Sequence, residues 1–314
     1  MIKRIYIGLS LVAILLIGLA IYYLYAPSPQ TPEEPIERFA ISVDNRARNY
    51  SVYYPSNLKP GASVLFALHP SMSSGDEMRG WVGRTLERFA AKENAVIVYP
   101  DGYEGHFNDC RKAASYSART LNIDDVVFIR RIVDQLVIEK GIDPKAVYAI
   151  GYSNGGHLAF RLALEAPDLV TGIVAIAANL PAADNMVCDT LTSPARFIGL
   201  IEGTQDPINP YEGGEVTLFG FGNRGNVLSA GASAKWFAQT LGVELATTKP
   251  PVEISGHVVQ QKDWKSADAR ISLITIEGGG HTIPQANFRF RRILGQTLQA
   301  DAVLESAMQL FKRR

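Results

Sequence analysis

Residues 147–160 read VYAIGYSNGGHLAF. An apolar run enters Gly-Tyr-Ser-Asn-Gly, and helical spacing of apolar residues begins directly on the far side. Gly151-Tyr152-Ser153-Asn154-Gly155 satisfies G-x-S-x-G between a predicted strand and a predicted helix. That setting is a sharp turn that lifts a serine hydroxyl above the end of a sheet, and small residues must stand two before and two after the serine. Glycine fills both places. A strand, a one-residue corner and a helix in direct succession exclude most all-β and all-α arrangements. The plainer reading is a glycine-rich turn whose serine caps the helix.

The rest of the chain carries the same alternation. RFAISV and RNYSVYYP flank Asp44-Asn45, the signature of a hairpin. SVLFALHP is a short uninterrupted apolar run, as expected of a strand buried on both faces. A helix is predicted from about 78 to 92, then a strand in NAVIVYP, then a helix over 124–139. Asp124 and Asp125 suit the positive end of that helix. AVYAIG, TGIVAIAA, ARFIGLIEG and ISLITIEG read as strands; 154–165, 229–241 and the terminal ADAVLESAMQLFK read as helices. EISGHVVQQ reads as strand or sheet edge. Strands alternating with helices of this length predict an α/β fold, a mostly parallel sheet flanked by helices. In such sheets ligands bind at the carboxyl ends of the strands, so the loops after each strand are where chemistry belongs.

The chain ahead of this domain has a different character. Ile5–Ala26 carries no charge, and about 22 residues at 1.5 Å rise would span the ~30 Å of a hydrocarbon core. Lys3 and Arg4 precede it on the side expected to stay cytoplasmic, and Tyr22, Tyr23 and Tyr25 suit an interfacial belt. We read residues 1–26 as a signal anchor, a transmembrane helix. The competing reading is a leader cut near Gly18–Ala20. Four prolines within Ala26–Pro35 make residues 27–35 a stiff linker, and residues 36–314 the folded domain.

Lys plus Arg and Asp plus Glu number 31 each. No basic block stands out, which argues against a nucleic-acid partner. The two cysteines, Cys110 and Cys188, lack metal-ligand spacing. They are either unrelated buried thiols or one disulfide, and the predicted extracytoplasmic location favours the bond.

A serine hydroxyl is a poor nucleophile until a base takes its proton. After a G-x-S-x-G serine the acid and then the histidine follow along the chain. His257 and His281 are the histidines well beyond Ser153. His281, in IEGGGHTIP directly after a strand, is the candidate base; His157, on the helix after the serine, reads as packing. Asp206, in the turn of IEGTQDPINPY, is the candidate acid, with Glu202 as its alternative. The first amide of the helix, on Asn154, and an amide of the loop ALHPSMSS are candidate oxyanion donors. Pro70 has no N–H, so Ser71 comes first and Met72 second; His69 reads as a brace for that loop. The glycine-rich segment 210–229 is expected either to wall the substrate pocket, with Phe219 or Phe221 touching substrate, or to be a mobile surface loop. Tyr103, with His106 and Phe107, is a candidate for the opposite wall.

FALHPSMSSGDEM, VIVYPDGYEGHFNDCR, IDDVVFIRRIVD, YAIGYSNGGHLAFRLA, AANLP, IEGTQDPINPYEGGEV and IEGGGHTIP stand in one order over roughly 36–314. Together they resemble the secreted polyhydroxybutyrate depolymerase and feruloyl esterase family of α/β-hydrolases. The resemblance implies carboxylic-ester hydrolysis through an acyl-enzyme without a cofactor. It assigns Ser153 as nucleophile, Asp206 as acid and His281 as base. Pro70 stands where the family usually has glycine, and Glu202 where it often has histidine. The alternatives are a peptidase using the same three groups and a non-catalytic anchored binding protein on a hydrolase scaffold.

Overall fold

The computed structural model describes residues 2–189 and 194–311. A helix, α1 (Ile2–Leu24), comes first. Among the described residues no helix is long and apolar enough to cross a membrane, and the Lys3 and Arg4 side chains lie outside the described residues. The proline-rich segment has no regular structure and lies along a later helix.

The hairpin forms as its turn residues require. β1 (Glu37–Val43) and β2 (Arg46–Tyr53) pair antiparallel, with Asp44 and Asn45 both at positive φ, 49° and 59°. That is the left-handed pair a two-residue hairpin needs, and Asp and Asn tolerate it better than most residues. β3 (Ser63–Leu68), β4 (Ala95–Pro100), β5 (Val147–Tyr152) and β6 (Gly172–Ile176) are buried along their whole length. With β7 (Phe197–Gly203) and β13 (Arg270–Ile276) they make the parallel centre of the sheet.

The connections after β7 add β8 (Gly214–Glu215) and β9 (Asn226–Val227), a small separate ribbon, then β10 (Leu245–Thr248), β11 (Val252–Ile254) and β12 (His257–Lys265). The main sheet has 11 strands in the order β1-β2-β4-β3-β5-β6-β7-β13-β12-β10, with β11 also on β12. Both ends of the sheet are antiparallel.

Helices cover both faces. α2 (Gly75–Glu93) starts one turn earlier than apolar spacing predicts, because Ser74 caps it, its hydroxyl accepting the Glu77 N–H at 3.3 Å. The Gly75 N–H donates to Asp101 at 2.8 Å. α3 (Ser117–Thr120) is a single turn. α4 (Asp125–Lys140) has Asp124 as its cap. Asp125 does more than face the helix's positive end: it turns inward, bonding Arg48 at 2.6 Å and the Asn108 N–H at 2.6 Å. α5 (Asn154–Glu165) and α6 (Ala230–Thr240) fall where expected, whereas α7 (Ala302–Met308) ends early in a 3-10 turn at Gln309–Phe311. Lys312, the last residue of that predicted helix, lies outside the described residues.

Alternate strand residues enter opposite cores. Phe66 and Val98 pack with Phe128, Leu158 and Phe237 on one face. Leu65 and Ile97 pack with Met78, Leu86 and Leu304 on the other. Strands buried on both faces cannot alternate polar with apolar, which is why β3 and β4 read as unbroken apolar runs. From β3 the chain moves to β4 on one side, and from β5 to β6 on the other. The crevice between the carboxyl ends of β3 and β5 is thus the switch point of the sheet.

Candidate active site

At that switch point Ser153 stands between β5 and α5 with φ 53° and ψ −114°. A non-glycine residue there carries strain of about 1–3 kcal/mol and persists only if its surroundings hold it. The Ser153 N–H donates to the Ile176 carbonyl at 2.8 Å, and the His157 N–H to the Ser153 carbonyl at 2.9 Å. The flanking glycines are a packing necessity. A Cβ on Gly151 would come within 2.1 Å of the Gly155 carbonyl oxygen, and one on Gly155 within 2.2 Å of the Leu68 carbonyl oxygen.

His281 follows β13 in the loop that its glycines bend. Its Nε2 lies 2.9 Å from the Ser153 hydroxyl and its Nδ1 2.7 Å from Asp206 Oδ2. A carboxylate only accepts, so Nδ1 carries the proton and Nε2 faces the hydroxyl with a lone pair. The ring is held from behind: Tyr152 OH donates to the His281 carbonyl at 2.7 Å, and the His281 N–H donates to the Leu294 carbonyl at 2.7 Å. Asp206 Oδ1 accepts the Ile208 and Asn209 N–H groups, both at 2.8 Å.

Glu202 does not compete for the imidazole. It is fully buried on β7, accepts the Ala178 N–H at 3.1 Å, and its second oxygen has no partner among the described residues. Burial, and then the nearby Asp206, push its carboxyl well above the usual range. His257 lies at the start of β12, near the Ser255 carbonyl.

Two amides remain at the corner. Asn154 is the first residue of α5, so its N–H has no acceptor within the helix. In the loop after β3, the Met72 N–H donates to the Gly105 carbonyl at 2.8 Å, while no described residue accepts from the Ser71 N–H. The loop is braced by His69, whose Nε2 accepts the Gly102 N–H at 2.8 Å, while Nδ1 lies 2.7 Å from the Pro70 carbonyl. That pattern requires a neutral ring with its proton on Nδ1, and burial pushes the histidine down to about 4.

A second constellation lies under the corner. Asp109 and Arg111 form a buried pair, Nη2 to Oδ2 2.6 Å, with a second contact through Nε at 3.1 Å. The same carboxylate accepts from Asn154 Nδ2 at 2.8 Å and from the Tyr116 hydroxyl. Arg111 beside it outweighs burial and holds Asp109 well below the carboxylate range. Asn154 is locked further by the Phe107 N–H at 2.8 Å and the Phe107 carbonyl at 3.0 Å. A disulfide joins Cys110 to Cys188 across 78 residues of sequence, pinning this floor to the segment around Asn185. None of these links is visible in spacing, although FNDCR puts a carboxylate, a thiol and a guanidinium side by side.

A cavity of about 590 Å³ opens above Ser153 and His281. Ser71, Trp81, Val216, Leu218 and Phe290 are among its walls, and so are Ala26–Pro29 of the proline-rich segment. Here the structure departs from expectation. Phe219 and Phe221 sit at the exposed tip of the β8–β9 ribbon and Tyr103 pairs back on His106; none of the three lines the cavity. The ribbon turns at Leu218–Phe221, which sends Val216 and Leu218 inward and the phenylalanines out. His157 packs against Phe160, as expected, yet also reaches the cavity floor. Arg111, Arg224 and Arg291 reach the cavity too.

The chain matches the family model described as "alpha/beta hydrolase fold" over residues 112–275. It is 28% identical to "Putative esterase NocK" of Nocardia uniformis subsp. tsuyamanensis, over 91% of this chain and 90% of that protein. It is 25% identical to feruloyl esterase C of Emericella nidulans, over 90% of this chain and 92% of the relative. Among solved structures, acetyl xylan esterase from Aspergillus awamori superposes with a TM-score of 0.54 at 13% identity, covering 88% of this chain and 98% of that one. The strand order, the strained serine corner and the matched model agree, and the chain belongs to the alpha/beta hydrolase fold family.

Proposed function

We propose that the protein is a serine esterase that hydrolyses carboxylic esters through an acyl-enzyme. The observation that carries this reading is the chain of contacts from Ser153 through His281 to Asp206, at 2.9 and 2.7 Å. Ser153 attacks the ester carbonyl as His281 Nε2 takes its proton. Asp206 holds the ring in the required tautomer and stabilises the imidazolium. The Ser71 and Asn154 N–H groups receive the oxyanion, each such donor being typically worth about 10²–10³ in rate. The alcohol leaves with the proton from His281, water enters, and the same base drives deacylation. Both sequence relatives bear esterase names, which favours an ester over a peptide.

The finer placement is extracytoplasmic, with residues 1–26 as a membrane anchor. It rests on the uncharged run from Ile5 to Ala26 and on the disulfide, which persists in oxidising compartments. Cells expressing the full chain are fractionated and assayed with a p-nitrophenyl short-chain ester. Activity should follow the membrane fraction and fall by about 10⁶-fold in kcat in Ser153→Ala, while the variant keeps its circular dichroism. Undiminished turnover by Ser153→Ala would refute the mechanism, and activity confined to the soluble fraction of an uncleaved chain would refute the anchor.

A further inference from the structure

Of the three arginines that reach the cavity, Arg111 and Arg224 stand in opposite electrostatic states. Arg111 is neutralised by Asp109, whose carboxylate is already engaged by Arg111, Asn154 and Tyr116. Arg224 has no such partner: among the described residues no carboxylate forms an ion pair with it. Its Nη1 donates to the Ser71 hydroxyl at 2.7 Å, and its guanidinium carbon lies 5.4 Å from the centre of the Tyr116 ring. A guanidinium has five N–H donors, and this contact is the single side-chain hydrogen bond it donates among the described residues. The residue is half-buried. Burial, and then the neighbouring Arg111, lower its affinity for its own proton, and Glu77, the carboxylate that lines the same cavity, accepts the Ser73 hydroxyl at 2.7 Å and forms no ion pair with Arg224.

The backbone around it is fixed. The Arg224 N–H donates to the Val216 carbonyl at 2.9 Å, and the Arg224 carbonyl accepts from Asn185 Nδ2 at 2.9 Å. Arg224 is therefore held over the cavity from the ribbon, one hydrogen bond away from the residue whose amide faces the nascent oxyanion. A planar fork at that position suits a carboxylate bound through two parallel contacts.

We infer that Arg224 forms an anion subsite, and that the preferred substrates are short carboxylic esters bearing a second, free carboxylate. This rests on the esterase reading and narrows its substrate class. The carboxylate has two chemical sources: the acyl part, as in a half-ester of a dicarboxylic acid, or the alcohol part, as in an ester of a hydroxy acid.

The experiment has a turnover arm and a binding arm. Monomethyl glutarate is compared with dimethyl glutarate for the acyl source, and 3-acetoxybutyrate with its methyl ester for the alcohol source. In the wild type, kcat/KM should favour the charged member of at least one pair, and that pair names the source. In Arg224→Gln the charged-to-neutral ratio should fall by about ten- to hundredfold, the range of a charge-assisted contact, with partial retention in Arg224→Lys. If Arg224 only braces Ser71, both members fall together and the ratio stays fixed, which overturns the inference. Calorimetry on Ser153→Ala measures binding of the same pairs without turnover. Tighter binding of the charged member, lost on adding Arg224→Gln, supports the subsite even if no ester is hydrolysed, an outcome that would sink the esterase reading alone. Hydrolysis with no preference for charge in either pair, and none in binding, sinks the subsite and leaves the esterase standing.

Discussion

The floor beneath Ser153 and the ribbon above it are built on different principles. The floor, Phe107–Arg111 with Asn154, is buried, cross-linked by a disulfide, and pairs Asp109 with Arg111. The ribbon at 214–227 has two short strands and a tip where Phe221 is 79% exposed. One side sets the nucleophile's geometry before substrate arrives, as catalysis by fixed dipoles demands. The other contributes Val216, Leu218 and Arg224 to the cavity wall. The lesson is that position in the chemistry and position in the substrate pocket are specified by separate segments, so they can be varied separately.

If that division is right, breaking the floor should cost stability first. Asp109→Asn keeps the shape but leaves Arg111 buried without its counter-charge, and losing one partner of such a pair typically costs about 3–5 kcal/mol. Urea unfolding measures this, and a loss below about 1 kcal/mol would mean that the floor is not held by its charges.

The brace at His69 should show itself through pH. Its folded pKa lies below its ordinary 6.5, at about 4, so the fold resists protonating it. Its contribution is full above 6.5 and is lost as pH falls toward 4, by about 3 kcal/mol in all. In His69→Gln the unfolding free energy should fall less steeply over that interval; an unchanged slope would place the acid sensitivity elsewhere.

The smallest effect belongs to the ribbon tip. Phe219→Ala with Phe221→Ala should shift stability by less than about 0.5 kcal/mol, as exposed positions usually do. kcat/KM on a short ester should change by no more than about threefold, since neither ring lines the cavity. A loss of about tenfold or more, confined to bulky aromatic esters, would show that the ribbon folds down over large substrates and would erase the contrast with the floor.

The contrast also explains what could be read from the chain. Ser153, Asp206 and His281 were legible because each follows a strand at the end of the sheet where the fold gathers its loops, and chain order does the rest. The cap at Ser74 was legible in principle, as Ser-x-x-Glu ahead of an apolar run, but the amphipathic period starts only at Met78. Asp109 and Arg111 were not. Their neighbour Asn154 is 45 residues away in sequence, and nothing local records which loop will pass beneath the corner. Phe219 and Phe221 misled for a related reason: bulky aromatics in a glycine-rich loop suggest a pocket, yet a one-residue shift in where the ribbon turns decides which side chains face in. β10 escaped notice because it is a short addition at a sheet edge, with little apolar content to mark it.

The stretch from Ala26 to Pro29 is part of the cavity wall, and it is docked rather than dangling: Arg79 Nη2 donates to the Glu34 carbonyl at 2.6 Å, and Arg84 reaches Gln30 at 3.2 Å. Maturation of the N-terminus therefore has a boundary of consequence. A peptidase cutting after Ala20 would release the domain with its binding chamber whole, whereas trimming by some ten residues more would strip away one side of it and reshape selectivity without touching a catalytic group.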